Sequence, residues 1–176
     1  PPRSTLFPYT TLFRSNSYHS KKYSLSGYVL AHPTRGPLNY KLIRYSDVLL
    51  MFAEAACESN DLGAAKSALE MVRSRARGSN SAILPAFPYG NYSDNQADLR
   101  AAIQHERRVE LAMEGHRFFD LIRWGIAAQV MNAYKTNESE TVKAHMMDFE
   151  TGKHELFPIP ESERNLNPKL EQNPNY

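Results

Sequence analysis

Between Tyr40 and Tyr134, apolar residues recur at intervals of three and four, the repeat of one face of an α-helix. Leu42, Tyr45, Leu49, Phe52 and Ala56 predict a first helix over about Tyr40 to Ser59, with Val48 and Ala55 widening the stripe. Arg44, Asp47, Glu54 and Glu58 fall mainly off it. Asn60-Asp61 predicts a turn and an N-cap. A second helix, about Leu62 to Ala76, carries Leu62, Ala65, Ala68, Leu69, Val72 and Ala76, with Gly78 as its stop. Its alanines let a neighbour approach closely, and the short connection makes the two helices antiparallel. A third helix is predicted from Asp94 or Asn95 to Glu114, capped by Ser93 or Asp94. Leu99, Ile103, Val109 and Met113 form its apolar face. Gly115 ends it. A fourth runs from His116 to about Tyr134 on Phe118, Leu121, Ile122, Ile126 and Val130, with Gly125 as a bend.

The rest of the chain lacks this repeat. Asn16 to Asn39 holds tyrosines among Ser, Lys and Gly, and ends in a Pro/Gly loop. Ser79 to Ser93 is a Pro-, Gly- and Asn-rich loop with three aromatic residues. The tail after Lys153 holds Pro158, Pro160, Pro168 and Pro174, so it cannot be one helix. A single turn at Glu161–Arg164 is expected, with the Phe157–Ile159 segment anchoring an extended course. These patterns imply an all-α fold class: tetratricopeptide-like antiparallel helix pairs, long loops and an extended Pro/Asn-rich C-terminal tail. No tetratricopeptide sequence repeat supports the likeness, which lies in helix lengths and pairing alone.

Composition narrows the function. The 176 residues suffice for one domain with a core. A net charge of +2, from 21 basic and 19 acidic residues, gives no argument for a nucleic-acid or anionic-membrane partner. No apolar run reaches transmembrane length. The single cysteine, Cys57, lies in a helical pattern and reads as a small buried hydrophobe. Pro1 to Ser15 has no continuous apolar core, so it is not a signal peptide. It repeats Thr-Leu-Phe at Thr5–Phe7 and Thr11–Phe13, and differs in character from the remainder of the chain. It reads as foreign to the fold, leaving 16–176 as the native segment.

Candidate chemistry concentrates in Leu99 to Gly125. His105-Glu106 opens like a zinc-protease motif, but Val109 stands where the second histidine belongs. There is no glycine-rich phosphate loop and no GxSxG elbow. The histidines show no ligand spacing, so no metal or other cofactor is implied. Glu106, Glu110 and Glu114 lie four residues apart on one helical face, an arrangement open to acid/base work. Arg107, Arg108, Arg117 and Arg123 lie close by, and Asp120 is spaced to meet Arg123. A carboxylate beside a guanidinium stays ionised and makes a poor general acid. Glu106, Arg107, Glu110, Glu114, Arg117, Asp120 and Arg123 therefore read as a structural ion-pair corner joining the third and fourth helices. Trp124 offers a stacking face but sits in an apolar run, which favours packing.

Four segments together resemble the C-terminal part of the SusD/RagB family of outer-membrane nutrient-binding lipoproteins of Bacteroidetes. Ile43 to Ser59 is similar to the family's lRyaeVlLmyAEA helix, and Ala65 to Arg77 to its second helix. Glu106-Arg107-Arg108 through Arg123-Trp124-Gly125 is similar to ERrvELafEG.RffDLiRWG. Phe157-Pro158-Ile159-Pro160 and Gln172 to Tyr176 are similar to the PIP and QNPgY tail motifs. Asp47 departs from the family's usual Glu, Met71 from its Asn, and Asn175 from its Gly. The resemblance implies a non-catalytic protein on the extracellular face of the outer membrane. It would bind an oligosaccharide or other nutrient and pass it to a SusC-like TonB-dependent transporter. Attachment to the membrane would be through a lipid anchor that this chain lacks. The alternative is a tetratricopeptide-like scaffold whose helical surface binds another protein. A sugar site needs aromatic faces and hydrogen-bonding amides, which makes Tyr89, Asn91 and Tyr92 the local ligand-binding candidates.

Overall fold

A computed structural model describes Lys22 and residues 39–176. The chain divides into two units, Pro1–Leu42 and Ile43–Tyr176. The expected foreign segment, Pro1 to Ser15, lies outside the described residues.

The second unit is all-α, with no strand among the described residues. Its helices are α1 (Tyr45–Glu58), α2 (Leu62–Arg77), α3 (Gln96–Glu110), α4 (Arg117–Arg123), α5 (Ala127–Thr136), α6 (Glu140–Lys143) and α7 (Glu161–Leu166). Asp61 caps α2, its carboxylate accepting from Ala64 N at 3.1 Å. Asn95 caps α3 by accepting from Asp98 N at 2.9 Å, one residue later than the sequence pattern suggests. The Asp98 carboxylate in turn accepts from Ser93 N at 2.7 Å, fixing the chain's entry into α3.

The core lies between α1, α2 and α3. Leu50, Ala53 and Cys57 of α1 meet Ala65, Leu69 and Val72 of α2 and Leu99, Ala102 and Ile103 of α3. Small residues on the first two helices bring them close, and α1 packs most extensively on α2.

The structure corrects the expected facing of α1 and several expected helix ends. The buried face of α1 is Asp47, Leu50, Ala53, Ala56 and Cys57. Tyr45, Val48 and Phe52, expected inside, are 68%, 44% and 54% exposed. The helix is rotated because Asp47 and Glu54 have arginine partners on later helices. The first helix also begins at Tyr45 rather than Tyr40. The third helix stops at Glu110, not Glu114, because the chain turns through Leu111 to Gly115. Met113 and Gly115 take positive φ values of 67° and 84°, outside the right-handed helix. Val109 and Met113, expected in the core, are consequently exposed. The fourth helix is divided by Gly125, whose φ of 69° favours glycine, into α4 and α5.

The tail takes the non-helical course expected, with one short helix, and is tied down by its amides. Gln172 accepts from Ile159 N at 2.7 Å and donates to Ile159 O at 3.0 Å. Asn173 donates to Phe157 O, Asn175 to Gly152 O, and the Tyr176 hydroxyl to Leu156 O.

Candidate functional site

The charged corner forms a network across the helices. On α3, Arg107 is 4% exposed and donates from Nη1 to Asp47 of α1 at 3.0 Å. Its Nε reaches Asp120 of α4 at 3.1 Å. Asp120 also accepts from Arg123 Nε at 2.9 Å. Arg123 then clasps Glu54 of α1 through two bonds, at 2.5 and 2.6 Å. The Trp124 indole N–H donates to the same carboxylate at 2.7 Å. One chain of charge, Asp47–Arg107–Asp120–Arg123–Glu54, thus begins and ends on α1 and passes through α3 and α4. Asp47 and Glu54 are seven residues apart, two helical turns, so both face the same way.

A second cluster serves the turn after α3. Arg44 donates to Glu110 at 2.5 Å and to Glu114 at 2.6 Å, and Arg75 of α2 adds a bond to Glu110 at 2.6 Å. Burial alone would lower the Arg44 pKa, but the bonds to Glu114 and Glu110 outweigh it and raise the value. A third pairing holds the loop before α3. Arg73 donates to Glu106 at 2.7 Å and from two nitrogens to the Pro85 carbonyl. Its guanidinium lies 3.8 Å over the Tyr89 ring.

The carboxylates expected to pair therefore do so, but mostly with arginines other than those adjacent in sequence. Arg44 and Arg73 take up Glu106, Glu110 and Glu114 from other elements. Arg117 is a correction: no carboxylate lies within salt-bridge distance of it among the described residues. The nearby Asp120 is occupied by Arg107 and Arg123. Burial, followed by the like charge of Arg108, lowers the Arg117 pKa. Asp47, Glu54, Arg44 and Arg73 were absent from the sequence-derived corner. All four lie in the two helical segments that resemble the family's motifs, and Asp47 and Glu54 are spaced to share a helical face.

In the 79–93 loop, Phe87, Tyr89 and Tyr92 pack partly buried against the core. Tyr89 meets Tyr92 edge to face at a 5.2 Å centroid distance. The Tyr89 hydroxyl is buried with no hydrogen-bond partner among the described residues, and burial raises its pKa. Of the three sugar-binding candidates, Asn91 alone is exposed, Tyr92 is half-buried, and one Tyr89 face is covered by Arg73.

Two surface clefts flank α4. Phe118, Phe119 and Phe157 line an apolar cleft of about 440 Å³, with Arg123 and Glu155 among its walls. On another side, a groove of about 450 Å³ is lined by Arg108, Arg117, Leu121, Val130, Tyr134 and Asn137, among others. Among the described residues, no helix is long and apolar enough to cross a membrane.

Antiparallel helices, a charge-locked corner and an amide-tied tail define an all-helical protein of the tetratricopeptide-like kind. The SusD family model matches residues 11–176, and the chain belongs to the SusD family. It is 32% identical over 149 residues to SusD-like protein P38 of Formosa agariphila, covering 82% of this chain and 26% of that protein. SusD-like protein P2 of the same organism is 31% identical over 173 residues, covering 96% and 32%. A crystal structure of a SusD homolog from Bacteroides thetaiotaomicron superposes with a TM-score of 0.62 at 36% identity, covering 76% of this chain and 26% of the other. A SusD-like protein from Bacteroides fragilis gives a TM-score of 0.57 at 25% identity, over 78% and 26%. The chain thus spans about a quarter to a third of the length of these relatives.

Proposed function

We propose that this chain is the C-terminal portion of a non-catalytic protein that binds an oligosaccharide or other nutrient at the cell surface. The ligand is passed to a SusC-like TonB-dependent transporter in the outer membrane, and a lipid anchor holds the protein on the extracellular face. The observation that carries this reading is the family match over residues 11–176, since SusD-family membership supports nutrient binding in general. The corner supports it further. Glu106, Glu110, Glu114 and Asp120 are each held by a guanidinium, which serves packing better than proton transfer. In the 79–93 loop, Asn91 and the open side of Tyr92 face the ligand, while Tyr89 holds the loop in place. The family match begins at residue 11, which moves the proposed start of the family portion there from Asn16 and leaves Pro1 to Thr10 outside it.

The test is a glycan array and calorimetry on the purified chain, with a reducing-end assay alongside. Oligosaccharide binding without release of reducing ends is the expected result. Turnover by clean protein overturns the proposal.

The scaffold reading is favoured by one observation, the exposed row of Tyr45, Val48 and Phe52 on α1. Silent arrays together with a stoichiometric protein partner would select it.

A further inference from the structure

We propose that the groove between the ends of α3, α4 and α5 binds the oxyanion of an acidic oligosaccharide, a carboxylate or a sulfate borne on a sugar ring. This rests on the proposed glycan-binding function and adds the charge class of the ligand.

The groove brings two guanidiniums together on one surface. Arg108 comes from the last turn of α3 and Arg117 from the first turn of α4. Arginines in this unit are generally paired: Arg44, Arg73, Arg75, Arg77, Arg100, Arg107 and Arg123 each have a carboxylate partner. Arg108, Arg117 and Arg164 of the tail have none among the described residues; Arg108 and Arg117 repel each other across the turn, and the more distant charge of Asp120 offsets this only in part. Like charges held close with no carboxylate bonded to either are unfavourable, and an arriving anion relieves that cost. Two planar forks also match an oxyanion better than two ammonium groups would.

The remaining lining suits a sugar. Leu121 and Val130 supply an apolar floor. Tyr134 is 54% exposed, so its ring is available to the C–H face of a pyranose. Asn137 donates to Ala133 O, which leaves its side-chain carbonyl to accept from a sugar hydroxyl. Charge, stacking face and acceptor thus lie in one cavity of about 450 Å³.

The molecule contains a reporter for this site. Trp124 is the only tryptophan, and the Arg117 guanidinium lies 5.9 Å from its ring centroid. An anion drawn to Arg117 should shift the tryptophan emission. The experiment titrates the 176-residue chain with trigalacturonate, its neutral methyl ester, a sulfated galacto-oligosaccharide of equal length, and sodium sulfate alone. At least one acidic oligosaccharide should bind about tenfold more tightly than the neutral ester and perturb the emission. Arg108→Gln and Arg117→Gln should each weaken that binding about tenfold. Arg100→Gln, whose ion pair with Glu58 lies elsewhere, should not. Arg108 is exposed, so Arg108→Gln tests the site without threatening the fold, and a circular-dichroism melt checks Arg117→Gln. Neutral and acidic sugars binding alike, or acidic binding indifferent to Arg108→Gln, overturns the proposal while leaving glycan binding intact. Sodium sulfate binding as tightly as the oligosaccharides also overturns it. Failure of every sugar, neutral and acidic, refutes the underlying glycan-binding function instead.

Discussion

Arg107 Nη1 lies 3.0 Å from Asp47 Oδ1, and the two residues are 4% exposed each and 60 positions apart in sequence. Both charges have left water, so the pair is favourable only while each has its partner. Asp47→Ala should destabilise the fold by about 3–5 kcal/mol, because Arg107 keeps its charge and loses half its neutralisation. Arg107→Met should cost a similar amount by stranding Asp47. The double variant Asp47→Ala/Arg107→Met should be markedly milder than the sum, since no charge is then left buried. Urea denaturation of the four proteins measures this; strict additivity of the two single changes would refute the coupling.

The rotation of α1 sets a second comparison. Leu50 is wholly buried, whereas Phe52 is 54% exposed. Leu50→Ala should cost about 2–5 kcal/mol through lost burial and the cavity left behind. Phe52→Ala, although it removes a larger side chain, should stay within about 1 kcal/mol. Thermal melts of the two variants decide it, and equal losses would mean that the helix faces the core differently.

Cys57 gives a chemical test. It is 1% exposed, and its thiol donates weakly to the Gln96 carbonyl at 3.6 Å. Burial, with help from the charge of Glu58, raises its pKa. The protonated thiol is the neutral form, so the folded state holds its proton more tightly than the unfolded one. Its contribution to stability is complete below the unfolded pKa and is lost as pH rises through the raised folded value. Native protein should react only slowly with iodoacetamide at about pH 8, and at the full rate of a free thiol in denaturant. Mass spectrometry of the alkylated chain follows both rates; fast native labelling would show an open α1–α3 contact.

The all-helical class and the α1–α2 pair are legible because Ala56, Leu69, Val72, Leu99 and Ile103 sit in strongly periodic segments with clear breaks between them. The Asp61 cap was legible for the same reason. The facing of α1 was not. Periodicity places Tyr45 and Phe52 inward and Asp47 and Glu54 outward, because isolated carboxylates avoid the interior. That preference reverses here because Arg107 and Arg123 come from helices far along the chain, a pairing that local periodicity does not encode. The end of α3 failed similarly. Val109 and Met113 keep helical spacing past the point where positive φ values break the helix. In the corner, the residue types were right but their partners were assigned by sequence proximity. Proximity pairs Arg117 with the corner's carboxylates and so hides the groove it shares with Arg108.

The charge chain that starts and ends on α1 also orders events in time. α1 and α2 are joined by a short turn and can pair as soon as both have left the ribosome. Asp47 and Glu54 then have no counter-charge until Arg107 and Arg123 emerge, 60 and 69 residues later. Nascent chains stalled at Gly90 should be cut readily by protease within α1, and chains stalled well beyond Gly125 should resist. Two acidic residues on a packing face should thus keep the first helix pair provisional until the last part of the corner has been made.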